Sequence, residues 1–148
     1  EMIIGAAILS VSLLSISNFF QSINRASSIT QSAIQGDYLL EEGVEVVKLL
    51  RDISYTNNIR KMSTTTTYYL SWSGTNWATT TVNTLVDGKY TRKFTLTDVK
   101  RDSISNDISA TGTYDPNVKL ITVSVVWIDP VGTTTRSIQT YVTNIFNN

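Results

Sequence analysis

Asp98, Asp102, Asn106, Asp107 and Asp115 bring five oxygen-bearing side chains into one stretch of the chain. Oxygen donors of this kind are what a hard cation such as Ca²⁺ requires. Their spacing follows no standard calcium loop, and Asp and Asn also initiate turns, so a solvated loop is expected here and no metal site. A second set joins Lys89, Arg92, Lys93, Lys100, Arg101 and Lys119 with Trp72, Trp77 and Trp127. Such residues contact a nucleic-acid backbone and stack on bases. The tryptophans form no pattern, however, and packing is preferred to DNA contact. The third candidate is Glu1. It stands directly before Met2–Asn24, 23 residues without a formal charge. Burying an unpaired carboxylate beside such a run costs at least about several kcal/mol, so Glu1 must either face water or find a cation.

Other chemistry is excluded by composition. The chain has no His and no Cys, which removes Ser–His and Cys–His nucleophile pairs, thiolate metal sites, disulfides and a charge switch near neutral pH. Carboxylates, Lys and Tyr alone remain, so neither an enzyme nor a cofactor is expected. The net charge is zero, but it is unevenly divided. Residues 1–53 carry six acids and three bases (net −3), and residues 54–148 carry six acids and nine bases (net +3). Two chemically distinct segments meet near residue 53.

The first segment reads as one helix. Met2, Ile3, Ile4, Ala7, Ile8, Val11 and Leu14 lie in its most apolar part, and about 20 apolar residues suffice to cross a bilayer as a helix. Ser10, Ser12, Ser15 and Ser17 dilute the run; small and hydroxyl residues are what close helix packing in an apolar setting uses. A secretory signal begins with basic residues, whereas this run begins with an acid. Pro116 is the first proline, so nothing forces a break before Ile53, and Gly5, Gly36 and Gly43 are read as soft points only. Residues 1–24 form a membrane or filament-core segment. Residues 25–53 are amphipathic, with Leu39, Leu40, Val44, Val46, Val47, Leu50 and Ile53 on one face and Glu41, Glu45, Lys48 and Asp52 on the other. Glu45–Lys48 and Lys48–Asp52 are expected ion pairs.

Residues 54–148 are Thr/Ser-rich. Alternation over Tyr90–Thr97 and over 119–128 marks half-buried strands. Val86-Asp87-Gly88-Lys89 is a two-residue hairpin turn, and Asp129-Pro130-Val131-Gly132 leads into a last strand from Thr134 to Ile145. The fold class is therefore α+β: a long N-terminal helix whose C-terminal half packs on an antiparallel sheet of four or five strands. Hydroxyl clusters at Ser63–Thr67, Thr79–Thr81 and Thr133–Thr135 are read as exposed strand faces.

EMIIGAAILSVSLLS resembles the start of a type IV pilin or pseudopilin after prepilin cleavage. LLEEGVEVVKLLRD, FTLTDVKRD and GTYDPNVKLITVSVVW are similar to pilins of single-membrane, small-genome bacteria. The resemblance implies that Glu1 is the family's acid, with four residues preceding it, and that it neutralises the amino terminus of a neighbouring subunit. It also implies that Met2–Ile23 rests in the cytoplasmic membrane before assembly and packs in the core of an extracellular filament afterwards. Subunit assembly is thus assigned to Glu1, Met2, Ile3, Ile4, Ala7, Ile8, Val11 and Leu14. Identical subunits, a prepilin peptidase and an assembly machine are the implied partners, and adhesion or twitching motility the implied service. The alternatives are a pseudopilin of a secretion or DNA-uptake machine and a single-pass membrane-anchored binding domain. Two features depart from the family: Asn18 stands where many members have proline, and no C-terminal disulfide loop can form without Cys.

Overall fold

The computed structural model describes residues 2–148. Helix α1 runs Met2–Tyr55 and breaks at Ser54, which is extended (φ −168°, ψ 107°). A wide helical turn, Thr56–Arg60, follows. The sheet comprises β1 (Tyr68–Trp72), β2 (Trp77–Thr80), β3 (Leu85–Val86), β4 (Tyr90–Arg101), β5 (Ile108–Ser109), β6 (Thr113–Asp129) and β7 (Gly132–Thr143). All pairings are antiparallel, in the order β2-β1-β4-β6-β7, with β3 and β5 as two-residue additions to β4. The α+β architecture is the expected one. The sheet counts seven strands instead of four or five because the turn at Asp87–Gly88 and the loop 102–107 each zip a short strand onto β4.

Both expected turns form. Asp87 and Gly88 both have positive φ, and the Lys89 N–H donates to the Val86 carbonyl at 3.1 Å. The ladder resumes at Val86–Tyr90, one residue later than in a strict two-residue hairpin. At the other turn Asp129 pairs with Gly132. The Asp129 carboxylate accepts the Val131 N–H at 2.9 Å and the Thr134 hydroxyl at 2.9 Å, and these bonds, the Val131 amide above all, lower its pKa. Pro116 lies inside β6 yet cannot donate to a ladder. Accordingly the β4–β6 register jumps there, from Asp98–Lys119 to Val99–Asp115.

The second half of α1 covers the sheet. Val44, Val46, Val47 and Leu50 are buried against Leu70, Phe94, Leu96, Ile121 and Val123, while Tyr90, Val125 and Trp127 extend the core toward Ala33 and Leu39. Ile53, expected on this face, is 63% exposed. The helix ends beside it, and after the break Tyr55 and Ile59 fill the core in its place. Gly36 and Gly43 are more than soft points. A Cβ on Gly36 would lie 2.6 Å from the Trp127 ring, and one on Gly43 would lie 2.8 Å from Val123 Cγ1. Seven helix residues advance about 10 Å and the four strand residues back from Trp127 to Val123 about 13 Å. The helix therefore runs antiparallel to β6, with Gly36 under Trp127 and Gly43 under Val123.

Of the two expected ion pairs, Lys48–Glu45 forms at 2.7 Å. Asp52 instead takes Arg51 at 2.7 Å, which leaves no Lys48–Asp52 bond because Lys48 is already held. Asn148 ties the chain back to the helix break. Its Oδ1 accepts the Tyr55 N–H at 3.1 Å, its carbonyl accepts the Thr56 N–H at 3.0 Å, and its Nδ2 donates to the Asp52 carbonyl at 3.0 Å. These bonds satisfy groups that a helix end leaves without partners. Asn148→Ala is expected to lower stability by about 1–2 kcal/mol, read as an earlier thermal transition of the full chain in mild detergent. An unchanged transition would show the clasp to be idle.

Tyr55 is buried, and its hydroxyl donates to the Pro116 carbonyl at 3.2 Å. Burial pushes the phenol up to about 12, helped by Tyr114 and Asp115. An unfolded tyrosine titrates near pH 10, at about its ordinary value. The raised folded value means that the unfolded state loses its proton first. Stability from this group is therefore full below about pH 10 and drains away as pH rises toward about 12. Alkaline unfolding curves should show this decline, and Tyr55→Phe should flatten it.

Candidate assembly surface

Among the described residues, the hydrogen bond to the sheet side that lies furthest up the helix is that of Arg25, whose Nη2 donates to the Pro130 carbonyl at 2.9 Å. Before that point α1 stands free. Every residue from Met2 to Asn24 is exposed, including Met2 at 91% and Leu14 at 65%. The helix holds an 18-residue window of mean hydropathy 2.0, none of it buried, so it is long and apolar enough to cross a membrane. Residues 2–24 extend roughly 35 Å at 1.5 Å per residue, a little more than the hydrocarbon core of about 30 Å.

The proposed assembly residues fall largely on one side. Ile4, Ala7, Ile8, Val11 and Leu14 follow the three- and four-residue spacing of a single helix face. Met2 and Ile3 begin the same rod, and Leu9, Leu13, Ile16, Phe19 and Phe20 make the other sides apolar as well. Glu1 lies outside the described residues. The serines are not stray polarity: Ser10 Oγ donates to the Ala6 carbonyl at 2.8 Å, Ser12 to Ile8 at 2.9 Å and Ser15 to Val11 at 2.9 Å. Hydroxyls bonded one turn back carry little desolvation penalty into an apolar medium.

An outward apolar row continues beyond the free half. Ile34 and Tyr38, then Leu49 and Ile53, are exposed pairs four residues apart on the side away from the sheet. Sequence reasoning missed this row because the buried face dominates the periodicity there. The sign was present in Ile34 and Tyr38, which fall off that face.

The other two candidate sets disperse. Asp115 is bound by Arg101 Nε at 2.6 Å, which lowers its carboxyl pKa. Asp98 pairs with the buried Lys119. Asp102 accepts the Ser105 and Ile104 amides at 2.9 and 2.8 Å, and the Ser105 amide leads in lowering its pKa. Among the described residues no three acidic side chains gather into a cation site.

Of the basic set, Lys89, Arg92, Arg101 and Lys119 are engaged within the fold, whereas Lys93 is half-buried and Lys100 exposed. Arg92 is buried, pairs with Glu42 on α1 and lies 5.0 Å over the Trp77 ring. Lys89 donates to Ser32 at 2.5 Å. Trp127 is buried under Gly36. Only Trp72 and Trp77 stay near the surface, as a tilted pair 5.2 Å apart. Together with Arg92 and Glu42 they line an open hollow of about 640 Å³. Its guanidinium is already neutralised by a carboxylate, which is a poor setting for a phosphate backbone.

The geometry thus singles out one surface with unmet physical need, the bare apolar half of α1. No family model matches the chain, and no curated protein or solved structure matches it.

Proposed function

We propose that this chain is a structural subunit, a pilin, of a type IV pilus. It waits in the cytoplasmic membrane through Met2–Asn24 and then polymerises helically through that segment into an extracellular filament that serves adhesion or twitching motility. One observation carries the reading: a single helix, regular from Met2 to Ile53, is wholly exposed and apolar in its first half and packed on a sheet in its second. Such a rod can exchange lipid for identical neighbours without refolding. Head-to-tail contacts that do not close generate an open helical polymer, and burial of the apolar rods stabilises it by about 25 cal/mol per Å². Glu1 would set the stagger, because in a low-dielectric core only a correctly placed neighbour's amino terminus offsets its charge. The role is architectural, with prepilin peptidase and assembly machinery as partners.

Electron microscopy of material sheared from producing cells, with mass spectrometry of any filaments, tests this. Thin filaments made chiefly of this chain are expected from the native sequence, and a severe loss of them from Glu1→Ala. If the chain stays with the membrane and no filaments form, the pilin reading fails and a membrane-anchored domain replaces it; if Glu1→Ala assembles normally, the role given to Glu1 fails.

A further inference from the structure

The β6–β7 hairpin outruns the rest of the sheet. The last pair between β4 and β6 is Thr91–Val126, whereas β6 and β7 stay paired through Trp127–Thr134, Ile128–Thr133 and Asp129–Gly132. A two-stranded ribbon therefore projects about 10 Å past the sheet. It projects toward the free half of α1, where Arg25 holds the Pro130 carbonyl at 2.9 Å. The β3–β4 turn does not reach so far. Its Asp87 meets Gln35 at 2.8 Å, ten residues further along the helix, or roughly 15 Å lower.

The ribbon ends in apolar residues without an apolar partner. Ile128 is 73% exposed and Val131 66%, and Pro130 lies between Asp129 and Val131 in the turn. Arg25 is the first cation after the uncharged run. If that run spans the bilayer, its guanidinium sits at the depth of the lipid phosphates, and the attached tip is held at the same depth. We propose that the Ile128–Val131 tip is a second membrane contact, seated at the boundary between headgroups and acyl chains beside the span. The charge balance suits that depth. Arg25 faces the lipid phosphates, and the one tip carboxylate, Asp129, is turned inward onto the Val131 amide and the Thr134 hydroxyl. A tip resting in lipid would fix the angle of the sheet to the membrane before assembly.

This inference rests on Met2–Asn24 spanning the bilayer, so the experiment must test the two separately. The native chain has no Cys, and single substitutions therefore carry a nitroxide label at one place each. Leu9→Cys reports the span, Val131→Cys and Ile128→Cys the tip, and Ser103→Cys the far end of the sheet. The full chain is reconstituted in phosphatidylcholine–phosphatidylglycerol vesicles, and collision with oxygen is compared with collision with a water-soluble nickel chelate. The tip labels are expected to favour oxygen and be shielded from nickel, as Leu9 is, while Ser103 shows the reverse. Lipid-like readings at either tip position support the contact. Nickel accessibility at both tip positions equal to that at Ser103, with Leu9 still shielded, overturns the tip contact and leaves the span standing. Nickel accessibility at Leu9 overturns both.

Discussion

Leu14→Lys is expected to abolish filament assembly and strongly impair membrane insertion, while the sheet domain unfolds at its native temperature. Leu14 sits close to the middle of the Met2–Asn24 run and is 65% exposed in the single chain. A lysine at the centre of a bilayer-spanning helix costs about 2.5–3.5 kcal/mol on insertion scales. In a filament core the cost recurs in every subunit, and the nearest favourable environment for the ammonium lies about 15 Å away at the end of the run. The folded domain has no stake in the change, because every residue from Met2 to Asn24 is exposed. Two measurements on one protein separate the effects: filament yield by microscopy, and the thermal transition in detergent by circular dichroism. Leu14→Met, of similar size and still apolar, should assemble. Normal filaments from Leu14→Lys would sink the assignment of this face to subunit packing.

The largest effect on folding is expected at the crossing of α1 and β6. Trp127→Ala should cost about 3–5 kcal/mol, the usual range for emptying a large aromatic site, since Trp127 is only 2% exposed and packs beside Tyr90 and Val125. Gly36 lies directly beneath it. In the native background Gly36→Ala gains up to about 1 kcal/mol of helix propensity. It also forces a methyl group to 2.6 Å from a ring that is itself enclosed, and overpacking of that kind costs about 1–3 kcal/mol. The net effect should be destabilising. With Trp127 already shortened to Ala the obstacle is gone, and the same Gly36→Ala substitution should become stabilising. A reversal of sign across the double-mutant cycle is therefore the result to seek by chemical unfolding. If Gly36→Ala behaves alike in both backgrounds, the glycine is incidental and the helix does not seat as described. Gly5, with nothing within 4 Å of its added methyl, is the internal control, and Gly5→Ala should leave the sheet's transition unmoved.

What could be read without coordinates was whatever is encoded between near neighbours in the chain. An uncharged run followed by a one-sided apolar pattern, with no proline, specifies a helix whose halves meet different surroundings, and α1 ends its regular course at Ile53, as expected. Alternation marked β4 and β6, and Asp-Gly and Asp-Pro marked turns, the second leading into β7, because backbone sign and side-chain period are local properties. The strands β1 and β2 were not distinguished from the hydroxyl-rich sequence around them, since thirty of the last 95 residues are Ser or Thr. The bare apolar half of α1 was legible as composition at Met2, Ile3, Ile4, Ala7, Ile8, Val11 and Leu14. The exposed row Ile34, Tyr38, Leu49 and Ile53 was not, because which side of a helix faces outward depends on what covers the other. Long-range contacts likewise set the fates of two charges: Arg92 under Glu42 and Lys119 against Asp98. Gly36 and Gly43 make the same point most clearly. Their spacing looks like weakness in a helix until β6 is laid across it, and then each is the space that lets Trp127 or Val123 come close. Patterns along the chain select the elements, whereas partner choice between distant elements turns on shape and charge that appear only once they pack.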